Sequence, residues 1–516
     1  MSDDVFYVTT PIYYPTADPH IGHAYTTVAG DFICRFRTMQ GREVHYLTGT
    51  DEHGQKLQRR AEEQGLRPKE FLDGIVPKWT GVWDALDIHY HDFIRTTEER
   101  HEKAVAAFVQ DLHDTGDVYL GTYVGLYCVG CEAFKSEDEL VDGKCPLHDL
   151  EPERVEEDNY FFRLSKYQDR LIDLYENTGF VQPEARRNEV LGKVRQGLDD
   201  LSISRVSFDW GVPIPWDTKH VIYVWIDALL NYITAIGYGA DPERFGRIWP
   251  ADVQLVGKDI LWFHSVIWPA MLMALDLPLP KTVFAHGYLL VRGEKMSNTR
   301  LTSISPHDLL ATFGSDAYRY YFMREISFGN DGSFSWEGMT ERYNSDLAND
   351  FGNLASRVLN MAVRYLDGAV PQPPSEREIT ASEDELRASY QSSMAAMAVA
   401  VDAIAPHEAL KAAWRFVRKA NAYVEEVTPW VLAKDEDKRR RLEVVLYHLL
   451  DALRLMSLML WPIVPKAASE LWRRLGQEGE IDHRTFGSDG HWGRLSARGG
   501  VTKGAPLFPR IEEEAG

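Results

Sequence analysis

The sequence predicts an α/β protein in which a parallel sheet is interrupted by an inserted domain and followed by a bundle of helices. Three observations support this prediction. The first half alternates short β-branched runs with amphipathic stretches, the interval from about 116 to 218 is irregular, and from about 345 to 475 apolar residues recur at helical spacing. Strands that alternate with helices are typical of parallel sheets.

The sheet is expected to begin with VFYVTT, before a helix from about Gly22 to Met39, and with EVHYLTG, before a helix from about Gln55 to Gln64. The alternation resumes after the irregular interval in VIYVWID, DVQLVGKD and TVFAHGYL. Open parallel sheets bind ligands at the carboxyl ends of their strands. The residues that follow each strand are therefore the candidates for function.

Size and composition exclude several classes of protein. A chain of 516 residues with 44% hydrophobic content predicts two to four domains. Its net charge of −22 argues against indiscriminate coating of nucleic acid, although it allows a local basic face. The acidic start MSDDVFYVTT does not resemble an export signal, and the longest apolar run, Leu455 to Pro465, is too short to cross a bilayer. We expect a cytoplasmic protein that does not enter membranes.

Two histidines follow the first predicted strand, in PIYYPTADPHIGHAY, where His20 and His23 flank Gly22 at the expected start of a helix. A helix N-terminus attracts phosphate, imidazoles can donate to phosphoryl oxygens, and glycine allows a nucleotide to come close. The same spacing also occurs in a plain polar helix face or a metal-binding pair. The pattern alone does not separate these readings.

The next strand ends carry further polar residues. Asp51, in TGTDEHGQK, can bind an ammonium group or cap the following helix. Gly257 and Asp259, in LVGKDILWFHS, form a predicted tight turn in which Asp259 suits a pair of ribose hydroxyls, and Phe263 and His264 follow one helical turn later.

A polar loop is expected after the last strand, in FAHGYLLVRGEKMSNTR, and it carries Lys295. A mobile loop with a lysine beside a nucleotide site commonly closes over the phosphates. Most exposed loop lysines have no such role, so this residue is a candidate only in combination with the others.

The inserted interval contains Cys128-x-x-Cys131 and Cys145-x-x-His148. Four cysteines are too few for a disulfide framework in a chain of this size. Three thiolates and an imidazole at this spacing favour a closed, tetrahedral, structural zinc site, and the alternative is three free thiols and a surface histidine. The fourth cysteine, Cys34, lies in a predicted helix and is expected to be a buried thiol.

The C-terminal helical region follows a proline-rich joint and has expected caps such as Ser382, which precedes the acidic run EDEL. Between Lys411 and Arg441 there are nine Lys and Arg residues against five Asp and Glu residues. This local excess of positive charge is suited to contacts with nucleic-acid phosphates.

Taken together, PHIGH and EKMS in this order resemble the class I aminoacyl-tRNA synthetases. TGTDEHG, SISR-x-SFDWG-x-P-x-P, YVWIDALLNYI, GKDI-x-x-FH and FAHGYL extend the resemblance to the methionyl-tRNA synthetases, over about residues 5 to 475. The resemblance implies a Rossmann-type catalytic domain, an inserted connective domain with a zinc knuckle near the tRNA acceptor end, and a helical anticodon-binding bundle. It also implies ATP, methionine, tRNA(Met), Mg²⁺ and one structural Zn²⁺ as ligands.

By the same resemblance, His20, Gly22, His23 and Lys295 would act on the ATP phosphates, and Gly257 and Asp259 would bind adenosine. The implied methionine pocket consists of Ile12, Tyr14, Asp51, Trp225, Ala228, Leu229, Tyr232, Phe263 and His264. The implied anticodon-reading residues are Asn353, Arg357 and Trp430, and Pro429 before the tryptophan predicts a helix start. A side-chain amide, a guanidinium and an indole can read or stack on splayed RNA bases.

The expected division of the chain follows from these assignments. The catalytic domain is expected in two halves, 1–115 and 219–290, which the connective insertion with its zinc knuckle separates at 116–218. A stem-contact region with the lysine loop follows at 291–345, then the anticodon-binding bundle at 346–480 and a tail at 481–516. With no further module after the bundle, a monomer is expected.

One motif departs from the family pattern. The loop reads Lys295-Met296-Ser297-Asn298-Thr299, whereas the family normally has a second lysine at the position of Asn298. We expect slowed but retained methionine activation. The alternatives are a paralogue that mainly binds tRNA or the adenylate, and a different adenylate-forming nucleotidyltransferase; the anticodon-reading residues argue against the second.

Overall fold

A six-stranded parallel sheet organises the first part of the protein, in the computed structural model that describes residues 5–130, 133–135, 137–146, 149–291, 294–295, 304–496 and 500–512. Its first elements in chain order are β1 (Phe6–Thr9), α1 (Ile21–Met39), β2 (Val44–Thr50), α2 (Gln55–Glu62), α3 (Pro68–Ala85), β3 (Asp92–Arg95) and α4 (Glu99–Asp114). The two predicted helices thus begin within one residue of Gly22 and at Gln55.

The middle of the chain adds short strands and helices. They are β4 (Val118–Cys128), β5 (Ala133–Lys135), β6 (Glu153–Phe162), α5 (Gln168–Asn177), β7 (Val181–Gln182), α6 (Glu184–Val194), β8 (Leu201–Ser202), β9 (Ser204–Arg205), β10 (Pro213–Ile214) and β11 (Asp217–Ile222). The long strands β4 and β6 form an antiparallel pair with Gly121 opposite Asn159. Antiparallel pairing needs no crossover helix, which explains why the strand-helix alternation stops here.

The chain then returns to the parallel sheet. The elements are α7 (Val224–Leu229), α8 (Asn231–Thr234), α9 (Pro242–Ile248), β12 (Val253–Gly257), α10 (Trp268–Ala274), β13 (Val283–His286), β14 (Leu289–Val291), β15 (Glu294–Lys295), α11 (Pro306–Glu325, kinked at Gly314), β16 (Gly332–Phe334) and α12 (Trp336–Arg342).

The order of strands in the parallel sheet is β3-β2-β1-β12-β13-β7. The chain therefore builds outward from β1 in one direction and, after the insertion, from β12 in the other. This reversal creates a crevice between the carboxyl ends of β1 and β12. The edge strand β7 lies within 116–218 and pairs in parallel with β13, Val283 opposite Val181, so part of the irregular interval belongs to the main sheet.

Apolar cores cover both faces of this sheet. Phe32 from α1 and Trp79 from α3 are buried on one face, while Phe108 from α4 and Trp268 from α10 are buried on the other. The central strand β1 is buried along its whole length. Burial on both faces accounts for the continuous apolar runs by which these strands were predicted.

Helices form the rest of the protein. They are α13 (Leu354–Leu366), α14 (Ala381–Asp402), α15 (Pro406–Val427), α16 (Pro429–Leu432), α17 (Arg439–Leu460), α18 (Pro465–Arg474) and α19 (Phe486–Asp489). A π-helical segment, Tyr343–Asn353, leads into α13. The described part of the chain contains no helix long and apolar enough to cross a membrane.

The predicted cap of α14 was wrong by two residues. The cap is Thr380 rather than Ser382, because Thr380 and Glu383 form a reciprocal capping box. Glu383 accepts hydrogen bonds from the Thr380 backbone and hydroxyl at 2.8 and 2.6 Å. Glu383 follows Thr380 by three residues and Glu385 follows Ser382 by three, so the sequence offers two possible capping boxes.

Candidate active site

A cleft of about 1280 Å³ opens at the carboxyl ends of β1, β2, β12 and β13. It lies where the strand order reverses, which is the usual ligand position in such sheets. The predicted residues that line it are Ile12, Tyr14, His20, Gly22, His23, Asp51, Trp225, Ala228, Leu229, Tyr232, Gly257, Asp259, Phe263 and His264. Residues from four separate motifs therefore meet in one cavity.

The two histidines form the cap of α1. The backbone N–H of Gly22 donates to His20 Nδ1 at 3.1 Å, and the backbone N–H of His20 donates to His23 Nδ1 at 3.2 Å. Their rings stack at 3.7 Å. Burial and the neighbouring His20 hold the pKa of His23 well below its usual range. Since each Nδ1 accepts a hydrogen bond, the Nε2 atom of neutral His23 carries the proton and is available as a donor.

The glycine in the turn after β12 leaves room for the Asp259 carboxylate. A Cβ atom at Gly257 would lie 2.5 Å from a carboxylate oxygen of Asp259, so any side chain here would displace that carboxylate. The same cleft wall contains His286 at the end of β13, whose Nδ1 donates to the Gly287 carbonyl at 2.8 Å and whose Nε2 accepts from Thr26 at 2.7 Å. His286 was missed in the sequence, although it stands at a strand end within FAHGYL.

Asp51 is held in a rigid loop. Its neighbour Glu52 is fully buried and accepts hydrogen bonds from Thr50 at 2.7 Å, Arg95 at 2.6 Å and Thr97 at 2.5 Å. Asp51 itself is buried and lines the cleft. The residue therefore does not cap α2, whose N-cap is Gly54 without a side-chain hydrogen bond, and its carboxylate is directed by a fixed backbone.

Aromatic side chains form another part of the cleft wall. Trp225 and Phe263 stack at 3.8 Å with an interplanar angle of 10°. Phe263 and His264 begin a five-residue π-helical turn, Phe263–Ile267. Such turns are frequent at functional sites. Ala228 and Leu229 are buried on α7 beside them.

Tyr232 and His264 form a hydrogen-bonded pair. His264 Nδ1 donates to the carbonyl of Ile260 at 3.0 Å, so its Nε2 accepts the hydroxyl proton of Tyr232 at 2.7 Å. Burial lowers the pKa of His264 to about 4. The pair presents a neutral, polarisable surface, which is compatible with a thioether.

A buried group beside the cleft was also missed in the sequence. His53 lies 2.7 Å from Asp227, and Asp227 lies 3.0 Å from His101 on α4. Asp227 is 1% exposed and His101 is fully buried. The signal that could have revealed them is a charged residue within an apolar run, Asp227 in YVWIDALL.

Two of the predicted sites, the lysine loop and the zinc knuckle, are described only in part. The backbone of Lys295 pairs with that of Leu290 in a short hairpin that leads away from β13, while Met296 to Thr299, including Asn298, lie outside the described residues. Of the predicted zinc ligands, Cys128 and Cys145 are buried, while Cys131 and His148 lie outside the described ranges. Among the described residues, no three His, Cys, Asp or Glu side chains are placed to hold a metal.

The three predicted anticodon residues lie on the bundle. Asn353 is exposed at the end of the π-helical segment, one turn before Arg357. The Arg357 guanidinium lies 5.7 Å from the centre of the half-buried Trp430 ring and forms an ion pair with Glu425 at 2.5 Å. Pro429 begins a helix, as predicted. Arg357 and Trp430 therefore form one contiguous surface.

The basic stretch between Lys411 and Arg441 is less available than its composition indicated. Seven of its nine cations hold ion pairs with carboxylates. Arg441, for example, lies 2.7 Å from the buried Glu383. Much of the positive surplus therefore stabilises the bundle, since a paired cation contributes less to phosphate binding.

Comparisons with known proteins agree with this architecture. The family model described as tRNA synthetases class I (M) matches residues 6–154 and 136–359, and the model of the anticodon binding domain of methionyl tRNA ligase matches residues 371–515. A methionine–tRNA ligase of Streptomyces coelicolor is 51% identical, with 99% of this chain and 97% of that protein covered. One of Caldanaerobacter subterraneus is 49% identical over 99% of this chain and 79% of its own length.

Solved structures show the same relationship. The methionyl-tRNA synthetase of Mycobacterium tuberculosis in complex with methionyl-adenylate superposes with a TM-score of 0.93 at 41% identity, covering 98% of this chain and 100% of that one. Its apo form gives a TM-score of 0.86 at 39% identity, with 99% of both chains covered. The chain therefore belongs to the methionyl-tRNA synthetase family of class I aminoacyl-tRNA synthetases.

Proposed function

We propose that the protein is a methionine–tRNA ligase, which activates L-methionine with ATP and transfers it to tRNA(Met). The observation that carries the proposal is the convergence of the His20–His23 cap, the Gly257–Asp259 turn and the Asp51 loop on one cleft, in a chain that ends in an anticodon-binding bundle. In the first step a methionine carboxylate oxygen attacks the α-phosphorus of ATP and pyrophosphate leaves. In the second, the terminal ribose hydroxyl of the tRNA attacks the acyl carbon and AMP leaves.

His20 and His23 act on the ATP phosphates in this proposal. They sit at the N-terminus of α1, where unsatisfied N–H groups favour negative charge. The capping hydrogen bonds fix their ring orientation before substrate arrives. Fixed donors of this kind stabilise charge that develops in a transition state without reorganisation. Mg²⁺ on the phosphates would supply further charge neutralisation.

Adenosine binding is assigned to Gly257 and Asp259. The close approach between Gly257 and the Asp259 carboxylate supports the assignment, because a side chain at position 257 would displace that carboxylate. Lys295, on the loop that follows β14, is assigned to the leaving pyrophosphate on the family resemblance.

The methionine pocket is assigned to the Asp51 side of the cleft. The Asp51 carboxylate would bind the α-ammonium group, while Trp225, Phe263 and Tyr232 surround the side chain. An aromatic wall around a flexible thioether gives favourable sulfur–ring contacts. Ile12, Tyr14, Ala228, Leu229 and His264 complete the proposed pocket.

A structural zinc site is proposed in the insertion, held by Cys128, Cys131, Cys145 and His148. Cys128 ends β4, and Cys145 begins a tight turn in which its N–H and carbonyl bond to Leu150 and Asp149 at 2.9 and 2.8 Å. A buried thiol at a strand end and another in a tight turn fit a two-knuckle site. The zinc would stabilise the fold of the insertion.

The anticodon site is assigned to Asn353, Arg357 and Trp430. Exposure of Asn353 and the adjacency of Arg357 and Trp430 support it. We also retain the division of the chain at 116, 219, 291, 346 and 481 as a proposal, with the qualification that β7 joins the catalytic sheet.

The test is methionine-dependent ATP–pyrophosphate exchange, run beside aminoacylation of initiator tRNA with zinc-replete protein. Exchange that depends on methionine, together with charging, is the expected result. Protein that binds tRNA but gives no exchange would overturn the proposal in favour of a non-catalytic paralogue. Exchange with another amino acid would reassign the substrate.

A further inference from the structure

We propose that His53 is a positioning residue for methionine, whose ion pair with Asp227 holds two walls of the amino-acid pocket at a fixed separation. The inference rests on the proposed function, because it concerns how the same pocket keeps its shape. His53 itself is not among the residues that line the cleft, so it acts through its neighbours.

The first wall is the loop after β2. His53 lies two residues after Asp51, and its backbone carbonyl accepts the hydroxyl of Tyr14 at 2.8 Å. Asp51 and Tyr14 both line the cleft. A displacement of His53 would therefore move the proposed ammonium ligand and an aromatic side chain together.

The second wall is α7. The Nδ1 atom of His53 lies 2.7 Å from Oδ2 of Asp227, and the two residues are 174 positions apart in the chain. Asp227 lies between Trp225 and Ala228 on α7, both of which line the cleft. A short helix of six residues has little stability of its own, so its position depends on contacts such as this one.

The other oxygen of Asp227 extends the connection. Oδ1 lies 3.0 Å from Nε2 of His101 on α4, and Nδ1 of His101 lies 2.7 Å from the hydroxyl of Thr234. Thr234 ends α8, the helix that carries Tyr232. One carboxylate thus links the loop after β2, α4, α7 and α8.

The charges around His53 make this contact an ion pair. Burial lowers the pKa of His53, but Asp227, Glu102 and Asp51 outweigh burial and raise it to about 10. Burial also raises the pKa of Asp227, and His53 and His101 more than compensate, so that it lies below its usual range. Glu102 also lies near His53, with its Oε1 3.6 Å from Nε2.

This pairing also leaves the pocket with the charge that methionine needs. Asp227 is neutralised by His53, while the Asp51 carboxylate lines the cleft. Loss of the imidazolium would leave a second negative charge behind the aromatic wall and would loosen α7. Both effects change the binding of methionine and not the binding of ATP, because the proposed ATP ligands lie at the start of α1 and the end of β12.

The test compares His53→Gln, His53→Ala and Asp227→Asn with the wild type in methionine-dependent ATP–pyrophosphate exchange. A charge-assisted hydrogen bond of this type corresponds to about a 10- to 100-fold change in an equilibrium. We expect KM for methionine to rise by about that factor in His53→Ala and Asp227→Asn, with KM for ATP and kcat changed about threefold or less. His53→Gln should recover part of the loss, because an amide can still donate to Asp227.

The matched control is Asp451→Asn. The Asp451–Arg454 pair on α17 is as deeply buried as His53–Asp227, with 2.6 Å between the charged atoms, and lies in the helical bundle. The Asp451→Asn variant should have a lower thermal midpoint than the wild type and an unchanged KM for methionine. An unchanged KM in folded His53→Gln and His53→Ala would overturn the inference, and so would equal rises in KM for methionine and ATP.

His53→Gln alone decides the question if the other two variants do not fold. The double variant of His53→Ala and Asp227→Asn adds a second criterion. If the two residues act as one unit, its rise in KM for methionine should be no greater than the larger of the two single rises. If the wild type gives no methionine-dependent exchange, the proposed function fails first. If the wild type is active and the variants behave like it, only the role of His53 fails.

Discussion

Arg319 on α11 donates to Asp31 on α1 at 2.5 Å, and both side chains are fully buried. Asp31 also accepts from Arg35 at 2.7 Å, and Arg319 also donates to the carbonyls of Pro462 and Ile463 at 2.9 and 3.0 Å. The helix whose start is capped by His20 and His23 is thereby joined to the segment between α17 and α18 in the bundle.

Asp31→Asn is expected to destabilise the protein by about 3–5 kcal/mol, because it leaves the buried Arg319 guanidinium without its carboxylate and leaves Arg35 paired with Asp87 alone. Burial raises the pKa of Asp31, but Arg35 and Arg319 lower that pKa by more, so the net shift is downward. Urea unfolding measures the effect. Arg60→Ala removes an exposed pair with Glu63 and should cost only about 0–1 kcal/mol. Equal losses in the two variants would contradict this view of the junction.

Asp316 should make stability depend on pH. Burial raises its pKa to about 6, although the backbone N–H groups of Ala467 and Lys466 act in the opposite direction. The folded state therefore binds a proton more readily than the unfolded state, so this contribution is full below about pH 4 and is lost as pH rises through 6. Relative to Asp316→Asn, the wild type should lose about 2–3 kcal/mol of unfolding free energy from pH 4 to 6.5.

Urea unfolding at several pH values gives this difference directly. Asn keeps the shape of the side chain but cannot ionise. Its weaker hydrogen bonds change the unfolding free energy by a constant amount, which does not affect the pH dependence. Parallel curves for the two proteins would mean that Asp316 has the same pKa in both states.

His23→Ala is expected to lower kcat for pyrophosphate exchange by about 10²–10³-fold with little change in KM for methionine, as for the loss of one fixed donor to developing charge. His23→Asn is the structural control, since its side-chain oxygen can still accept the His20 backbone N–H that His23 Nδ1 now accepts. It should keep the thermal midpoint of the wild type. If activity falls only in those variants whose thermal midpoint also falls, His23 acts as a helix cap and not on the phosphates.

Much of the catalytic sheet could be predicted because buried parallel strands and amphipathic helices leave distinct periodicities. The α1 helix was placed to within a residue because the PHIGH motif contains its start. The site residues on strand ends were found because polar side chains interrupt apolar runs there. His53, His101 and Asp227 were not, because their pairing joins positions up to 174 residues apart and no local pattern encodes it.

Paired cations show a second limit of sequence reasoning. The basic excess from Lys411 to Arg441 was interpreted as a phosphate-binding face, but Arg440 and Arg441 pair with Glu378 and Glu383 from outside that interval. Charge counted along the chain does not report which charges meet in space.

Asn298→Lys should raise the rate of methionine activation. The position normally holds a lysine in this family, and a second cation would offset charge on the departing pyrophosphate. Single-turnover formation of the adenylate measures it, and Asn298→Ala is the matched control that should stay near or below the wild-type rate. No gain in the rate of adenylate formation in the lysine variant would contradict the expectation.

Trp430→Ala is expected to impair tRNA recognition and leave amino-acid activation intact. An indole that stacks on an RNA base contributes about 1–3 kcal/mol, so KM for tRNA(Met) should rise about 5- to 150-fold. Pyrophosphate exchange without tRNA should be unchanged, because Trp430 packs against the bundle beside Arg357 and not at the cleft. Val431→Ala, next in sequence and 49% exposed, is the matched control with no aromatic ring to lose. If both variants raise KM for tRNA(Met) equally, the loss reflects the local fold of α16 rather than stacking on a base.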